Sequence, residues 1–593
     1  MAKIPHHEFS RRDFLRLGVT IGCGAVVPPV LYGCRDPSGD PGPSGPAETF
    51  LQPQVIRSVG GRLDVTLLVS YFAKEINGQK TLLRSYGDVT GPTLIVNVGD
   101  TLRIKVINEL PPNPPDPEPM EHMRYHNNTN MHTHGLHVYP GVYSEGVPGL
   151  YGDYVLDPSD GGVVPGQSRQ YEYRLRDDHP TGMYWYHPHV HGSSAMQVAS
   201  WMAGALIITG PIDQIPEFAA AKERVFVFQA PIYDAAGRLE SFATVANNPT
   251  TNAKPWMING VRRPRLLMRT GEVQNWRLLN AGIFNLLNLS LDGHVLYRYS
   301  SDGNPLPDYK PSPPVPPNDP KLPMGIVLAP ANRASVMVKA LAPGTYYLRT
   351  MPVQMGNAGN VLPEDVLAEI VVEDPPLPME LPRPPFPVSP MLAPITDAEL
   401  AAHGGLKRSI VMRAVANPFP GVPGTPAPIT AAPANQIVHP GAELNDWVYE
   451  TGNTTVADNV YAIGSPATTA SSNPVTPPTV FGNPDEYIPF QSKRALTQTV
   501  ALDSVEEWTI FNMNNVRHPF HIHVNPMYVV KINGQPVEPY WADTVPMPPG
   551  GSVTQPTSIT FRMRFLHYTG PYVMHCHMLA HEDLGMMQGV TVV

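Results

Sequence analysis

Cysteine and charge are both scarce in this 593-residue chain, and each scarcity excludes a class of protein. There are three cysteines, Cys23, Cys34 and Cys576, so a small disulfide-stapled scaffold is excluded. Charged residues make up 16% of the sequence and the formal net charge is −10. Because no basic block occurs beyond the N-terminus, we expect no nucleic-acid partner. A hydrophobic content of 42% excludes a disordered chain.

Residues that form turns are abundant by contrast. The 71 prolines and 49 glycines are about a fifth of the chain, well above average usage. Both residue types interrupt helices, so the composition favours short strands joined by many turns. At roughly 100–200 residues per domain, the length predicts several domains.

The N-terminus has the features of an export signal. Residues 10–16 read SRRDFLR, and a mostly apolar stretch too short for a comfortable membrane span follows over 17–30. The pair Arg11-Arg12 before Phe14 resembles the bacterial twin-arginine signal. We therefore predict a signal over 1–34, a periplasmic or other extracytoplasmic location, and no transmembrane span in the mature chain.

Residues 31–34 (LYGC) resemble a lipoprotein cleavage site, which would make Cys34 a lipid acceptor and the protein a membrane-anchored lipoprotein. The Pro-, Gly- and Ser-rich residues 35–49 would then be a flexible tether. A freely exported protein without the lipid anchor is the alternative. The intact mass of the mature chain distinguishes the two.

One sequence pattern recurs three times, over 99–108, 271–280 and 503–512, and each copy ends in Asn. Polar and apolar residues alternate in it, as in a half-buried strand. A Gly-x-Tyr pattern also recurs, at 182–184, 344–346 and 570–572. The repeats predict an all-β chain of three sandwich or barrel domains, over 50–215, 216–375 and 401–593, with a Pro-rich linker over 376–400.

A comparison between the copies points to a site that the middle domain lacks. At offsets of 6, 9 and 11 from its terminal Asn, the third copy has His518, His521 and His523. At the same offsets the middle copy has Leu286, Leu289 and Leu291. Five residues after the Gly of the second pattern stand His187, Arg349 and His575. We infer that the middle domain has the same repeated strands but lacks the metal ligands.

Four clusters hold ten of the 21 histidines. Their members are His132 and His134; His187 and His189; His518, His521 and His523; and His575, His577 and His581. In a strand, two histidines separated by one other residue point to the same face, and their backbone positions are roughly 6–7 Å apart. Both can therefore reach one metal or two adjacent metals. Imidazole binds copper, zinc, iron and nickel, so the histidines alone do not identify the metal.

The last cluster narrows the choice of metal. A lone thiolate (Cys576), two imidazoles (His518 and His581) and a distant thioether (Met586) form the ligand set of a blue-copper electron-transfer site. Zinc prefers more thiolates or a closed tetrahedral set. In a strand, Cys576 faces one side while His575 and His577 face the other. Two metal centres would thus be joined by a covalent path of roughly 10 Å.

With all four motifs in this order, the chain over 50–593 resembles the three-domain bacterial multicopper oxidases of the laccase and copper-efflux-oxidase kind. The resemblance implies three consecutive cupredoxin-like Greek-key domains and four copper ions. It implies one-electron oxidation of a reducing substrate at a type 1 copper. That oxidation would be coupled to four-electron reduction of dioxygen to water at a trinuclear copper cluster.

Carried over position by position, the resemblance assigns a copper to each motif residue. The type 1 copper takes Cys576, His518 and His581, with Met586 as the axial ligand. The type 2 copper takes His132 and His521. The type 3 pair takes His134, His187, His189, His523, His575 and His577. For the protons that water formation needs, the resemblance points to Glu582 and, at slightly different spacing, to Glu145; a solvated surface carboxylate is the alternative for each.

Three functions stay open at this stage. The leading expectation is a laccase-like oxidase of phenolic or other aromatic donors. An oxidase of cuprous ion for copper tolerance and a non-catalytic copper-binding envelope protein are the alternatives. The expected partners are dioxygen and a small reducing substrate or Cu(I), and the chain is expected to be a monomer.

Overall fold

The structure, a computed structural model, describes residues 48–113, 126–143, 149–156, 162–240, 245, 255–314, 325–356, 361–416, 459–464, 487–488, 497–552 and 555–593. The export signal with Cys34, most of the tether, and Glu145 lie outside these residues. Among the described residues, six main β-sheets enclose three large apolar clusters. The predicted all-β fold of three consecutive cupredoxin-like sandwiches is confirmed.

The first sandwich contains the strands β1 (Val55–Arg57), β2 (Arg62–Ile76), β3 (Gln79–Ser85), β4 (Gly91–Asn97), β5 (Thr101–Asn108), β6 (His132–His134), β7 (Leu150–Tyr151), β8 (Ser168–Arg174), β9 (Gly182–His187) and β10 (Gly204–Thr209). Its sheets have the strand orders β1-β4-β10-β9-β6 and β3-β2-β5-β8-β7. Alternating apolar residues of both sheets fill the core between them.

The second sandwich contains the strands β11 (Lys222–Gln229), β12 (Met257–Ile258), β13 (Arg265–Arg269), β14 (Val273–Asn280), β15 (Leu287–Leu291), β16 (Leu296–Ser301), β17 (Asn304–Ser312), β18 (Ile326–Leu328), β19 (Arg333–Lys339), β20 (Gly344–Thr350), β21 (Val353–Gln354), β22 (Val361–Leu362) and β23 (Asp365–Glu373). Its main sheets have the orders β12-β11-β14-β19-β16-β17 and β13-β23-β20-β15-β18.

The third sandwich contains the strands β24 (Leu406–Ala416), β25 (Asn459–Gly464), β26 (Tyr487–Ile488), β27 (Thr497–Val500), β28 (Val505–Asn512), β29 (Pro519–Ile522), β30 (Met527–Ile532), β31 (Gln535–Ala542), β32 (Thr544–Pro546), β33 (Thr557–Arg564), β34 (Gly570–Cys576) and β35 (Met587–Val592). Its sheets have the orders β26-β25-β24-β28-β33-β30-β31 and β27-β35-β34-β29-β32.

Helices are short and lie in the connections. In the part of the chain that the structure describes, the α-helices are α1 (Ser194–Val198), α2 (Pro216–Ala220), α3 (Asp397–Ala402) and α4 (Leu579–Asp583), and 3₁₀ turns occur at Pro211–Gln214 and Pro390–Leu392. None of the described helices has the length and apolar composition needed to cross a membrane. The residues between β23 and β24 pack on the second sandwich, where Phe386 contacts Phe218 and Tyr309. The exact domain boundaries stay a prediction.

The repeated sequence pattern forms the same element in all three sandwiches. Strands β5, β14 and β28 each pair in parallel with β2, β11 or β24 and antiparallel with a later strand. Each ends at a buried Asn whose side-chain oxygen accepts a hydrogen bond from the N–H two residues further on, at 3.0, 2.9 and 2.9 Å for Asn108, Asn280 and Asn512. This Asx turn ends the strand and explains the shared terminal Asn.

Strand register corrects one correspondence that was drawn from sequence offsets. In the third sandwich His521 of β29 pairs with His575 of β34. In the second, the residue opposite Arg349 is Ser290, not Leu289. The offset match of the three histidines with three leucines is therefore wrong by one residue. Between the terminal Asn and the residue opposite Arg349 or His575, the middle copy has one residue more than the third. Leu289 and Leu291 therefore point into the core of the second sandwich, whereas Leu286 packs in the apolar cluster of the third.

Candidate metal centre

A buried cysteine and two histidines form the first group of possible ligands. The Sγ atom of Cys576 lies 3.4 Å from Nδ1 of His518 and 3.8 Å from Nδ1 of His581, and the two Nδ1 atoms are 3.1 Å apart. The sulfur accepts a hydrogen bond from the Met578 N–H (3.4 Å). Met586 is buried in the same apolar cluster, and its carbonyl accepts a hydrogen bond from the Cys576 N–H (3.0 Å).

Burial determines the protonation state of this group. Desolvation raises the pKa of the Cys576 thiol and lowers the pKa of His518 to about 3. The imidazoles are therefore neutral, as metal ligands must be, and the thiol loses its proton only if a cation replaces it. One thiolate and two imidazoles in an apolar pocket are the donor set that copper accepts.

Strand β34 has different chemistry on its two faces. Tyr572, Met574 and Cys576 point into the third core. Because side chains alternate along a strand, His575 points to the opposite face, where it meets His521 and His523 (ring centroids at 5.3 and 5.4 Å). The strand thus connects the cysteine group to a second group of histidines.

The second group combines histidines of the first and third sandwiches. Ligand atoms lie close enough to share a metal in four overlapping sets. Three consist of histidines alone, namely His132, His134 and His187; His132, His521 and His523; and His189, His523 and His575, and the fourth joins His134, His521 and Asp543. Rings from the two sandwiches stack in pairs, with His132 on His523 (3.9 Å) and His134 on His521 (3.8 Å). Nε2 of His575 lies 3.1 Å from Nε2 of His189. All of these side chains are buried.

Several ring nitrogens in this group have no hydrogen-bond partner among the described residues. They are Nε2 of His132, Nδ1 of His134, Nε2 of His187, Nε2 of His521 and both ring nitrogens of His577. Burial, reinforced by the neighbouring imidazoles, lowers the pKa of His132 and His577 well below its usual value. Orphaned buried polar atoms are costly at about 1–3 kcal/mol each. Neutral imidazoles with free lone pairs fit bound metal ions.

Two aspartates that sequence reasoning missed orient these histidines. Nδ1–H of His132 donates to Asp153 (2.8 Å), which also accepts the N–H of Thr133 (2.9 Å). Nε2–H of His134 donates to Asp543 (3.2 Å). Each carboxylate fixes the tautomer of its partner and leaves the other ring nitrogen for a metal. A lone Asp gives no sequence signal for such a contact, whether it is 21 residues away, as Asp153 is from His132, or 409 residues away, as Asp543 is from His134.

Glu582 is the predicted acid that lies in the described part of the chain, and it contacts the second group. Its two carboxyl oxygens lie 3.4 Å from Nδ1 of His189 and of His575. Burial, with a contribution from Asp583, raises the pKa of Glu582 well above its usual value. Ser194 donates a hydrogen bond to it (3.1 Å). Glu582 is fully buried, so it is not a solvated surface carboxylate.

Several known proteins are similar to this chain. Family profiles described as multicopper oxidase match residues 122–212 and 467–593. A multicopper oxidase of Staphylococcus epidermidis is 22% identical over 515 residues, covering 85% of this chain and 83% of that protein. Laccase-2 of Botryotinia fuckeliana is 24% identical, covering 84% and 76%. A solved multicopper oxidase from Campylobacter jejuni, described as a metallo-oxidase, superposes with a TM-score of 0.60 at 21% identity, covering 93% and 98%.

Proposed function

Since this chain belongs to the multicopper oxidase family and is a copper-dependent oxidoreductase, we propose that it is a laccase-type oxidase. It takes single electrons from a small aromatic donor and uses four of them to reduce dioxygen to water. The observation that carries this proposal is that strand β34 places Cys576 in one buried ligand group and His575 in the other.

The donor atoms divide among four copper ions. Cys576, His518, His581 and Met586 would hold a type 1 ion. His132 and His521 would hold a type 2 ion. The type 3 pair would take His134, His187, His189, His523, His575 and His577. When bound, the copper ions supply the one-electron chemistry at the first site and the reduction of dioxygen at the second.

The protein supplies a connection, a dry environment and protons. The backbone from Cys576 to its two flanking histidines is a short covalent path for electrons. Both groups are buried, with His581 the most exposed ligand at 9%, and this limits the access of water that would compete for the metal ions. Burial raises the pKa of Glu582 well above its usual value, and its carboxyl group lies between His189 and His575 of the second group, where protons would be consumed.

Stoichiometry tests this function most directly. We expect copper-loaded protein to oxidise four molecules of a one-electron donor for each dioxygen consumed, without release of peroxide. A panel of diphenols and aromatic amines, set against cuprous ion, identifies the donor class. Faster turnover of cuprous ion than of every aromatic donor would replace the laccase assignment with copper tolerance. Full copper binding without dioxygen uptake would instead indicate a copper-binding envelope protein.

The proton role of Glu582 needs its own test. Glu582→Gln keeps the size and the hydrogen bond with Ser194 but removes the exchangeable acid. We expect lower turnover with a changed pH profile, at unchanged copper content. Equal turnover and an equal profile would contradict the relay role.

For its location, we propose that the chain is exported by the twin-arginine route and acts as a monomer in the periplasm, with a lipid anchor on Cys34 as the alternative to free export. The mass of the mature protein tests the anchor, and gel filtration tests the oligomeric state. A mature mass without an acyl adduct would exclude lipidation and leave the export proposal standing.

A further inference from the structure

The second sandwich provides none of the proposed copper ligands, yet it sends a buried arginine to the histidine group. Arg333 is the first residue of β19, and its side chain is fully buried. The guanidinium donates to both carboxylate oxygens of Asp543, from Nη1 to Oδ1 (2.8 Å) and from Nη2 to Oδ2 (2.5 Å). Its Nε–H donates to the carbonyl of Met183 (3.1 Å). All three sandwiches therefore meet at this side chain.

Asp543, held by Arg333, in turn forms hydrogen bonds with two histidines. Its Oδ1 accepts from Nε2–H of His134 (3.2 Å) and from the hydroxyl of Thr544 (2.9 Å). Its backbone carbonyl accepts from Nδ1–H of His521 (2.7 Å). The ring nitrogens left without a partner among the described residues are Nδ1 of His134 and Nε2 of His521. One aspartate thus determines which nitrogen of each imidazole is available.

We propose that Arg333 is a positioning residue for the copper cluster, holding Asp543 so that His134 presents Nδ1 and His521 presents Nε2 to metal. This inference rests on the proposed function, because it assumes that the histidine group binds copper. The planar guanidinium matches both carboxylate oxygens at once, whereas a lysine ammonium is a single point charge. The middle domain would then contribute to copper binding without providing a ligand.

The backbone at Arg333 is itself fixed by a hairpin turn between β16 and β17. Asp302, in that turn, accepts the N–H of Arg333 (2.9 Å) and the side-chain amide of Asn332 (3.0 Å). The next residue, Gly303, packs on Tyr184 of the first sandwich so closely that a Cβ atom would lie 2.4 Å from its ring. With φ of 73° as well, this position requires glycine. The turn therefore holds Arg333 in place against the first sandwich.

The test compares two conservative substitutions of equally buried arginines. Arg333→Lys keeps the charge but loses the two-point contact with Asp543. Arg277→Lys is the matched control, because Arg277 lies on the adjacent strand β14, is equally buried, and pairs with Asp213 and Glu223 instead. Asp543→Asn is a second variant that breaks the same contact from the other side. Purified holoprotein of each is dialysed against a graded copper chelator.

We expect Arg333→Lys and Asp543→Asn to bind copper at the histidine group about 10–100-fold more weakly, the usual effect of losing such a supporting contact. The blue absorption of the Cys576 site should stay, and the electron paramagnetic resonance signal of the type 2 copper should weaken or change shape. Arg277→Lys should lower thermal stability and keep wild-type copper content and spectra.

Two results would overturn the inference while the proposed function stands. One is unchanged copper affinity and spectra in both Arg333→Lys and Asp543→Asn. The other is an equal loss of copper in Arg277→Lys, which would mean that general destabilisation is the cause. If the wild-type histidine group binds no copper at all, the proposed function fails and this inference fails with it.

Discussion

The second and third sandwiches place different chemistry on the same pair of strands. In the third, His521 stands opposite His575, and Nε2 of His575 lies 3.3 Å from Nε2 of His523. In the second, Ser290 stands opposite Arg349, and the Arg349 guanidinium pairs with Asp292 (3.0 Å). An ion pair thus occupies the face that imidazoles occupy in the third sandwich.

The difference shows what a metal-binding face requires of a β-sandwich. Arg349 and Asp292 satisfy each other, so the middle face is complete without a ligand. The third face is lined by neutral imidazoles that need an external cation. On the core side, Thr350 stands where the third sandwich has Cys576, and its hydroxyl accepts the N–H of Asn288 (3.0 Å). The two sandwiches share this pair of strands, and the side chains on the strands determine whether a metal ion is needed.

The largest loss of activity is expected from substitution of Cys576, the proposed metal ligand at whose position the second sandwich has a threonine. Cys576→Ser should abolish the blue absorption and the oxidation of donors, because it removes the thiolate of the proposed type 1 site. Copper at the histidine group should remain, as measured by metal analysis. Thr350→Ser, at the equivalent position, is the control and should leave colour and turnover at wild-type level. Blue colour surviving in Cys576→Ser would refute the ligand assignment.

Removal of copper should destabilise the first and third sandwiches more than the second. A ligand present at a thousand times its dissociation constant contributes about 4 kcal/mol to the free energy of unfolding. We therefore expect the chelated protein to melt at a markedly lower temperature. After copper removal, amide hydrogen exchange should become faster in β6, β29 and β34 but not in β15 and β20. Equal loss of protection in all five strands would contradict the contrast between the sandwiches.

Low pH should also destabilise the histidine-bearing sandwiches of the copper-free protein more than the second sandwich. Burial lowers the folded-state pKa of His518 to about 3 and that of His189 and His521 to about 4. The unfolded chain has the ordinary histidine pKa of about 6.5. Below that pH these histidines bind protons in the unfolded state but stay neutral in the folded state. Stability is therefore complete above about pH 6.5 and falls as the pH drops towards 4, by ~1.4 kcal/mol per pH unit for each such histidine.

Urea unfolding of the copper-free protein at pH 7 and pH 5 measures this loss. Exchange at pH 5 should expose β29 and β34 before β15 and β20, because His521 and His575, whose pKa burial lowers, lie on the first two strands. A stability independent of pH would mean that the imidazoles are not buried and neutral.

Local patterns in the sequence predicted the strands and the histidine motifs, since alternation and spacing are properties of neighbouring residues. They missed Asp543 and Arg333, because the contacts of these residues depend on how three sandwiches meet. They also missed Asp153, which contacts His132 within the first sandwich from 21 residues further along the chain. Asp543 and His134 are 409 residues apart, and nothing near either residue indicates the other. The offset comparison of the repeats failed by one residue for a related reason: a connection one residue longer reverses which side chains face the core.

The smallest effect is expected from the middle sandwich itself. Arg349→Met removes the ion pairs with Asp292 and Glu364. Because these carboxylates are partly exposed, the loss should be only about 1–2 kcal/mol in the free energy of unfolding, between the values for surface and buried pairs. Copper content, colour and turnover should equal those of the wild type. A change in any of the three would show that this face contributes to the metal centre, and the contrast with the third sandwich would then fail.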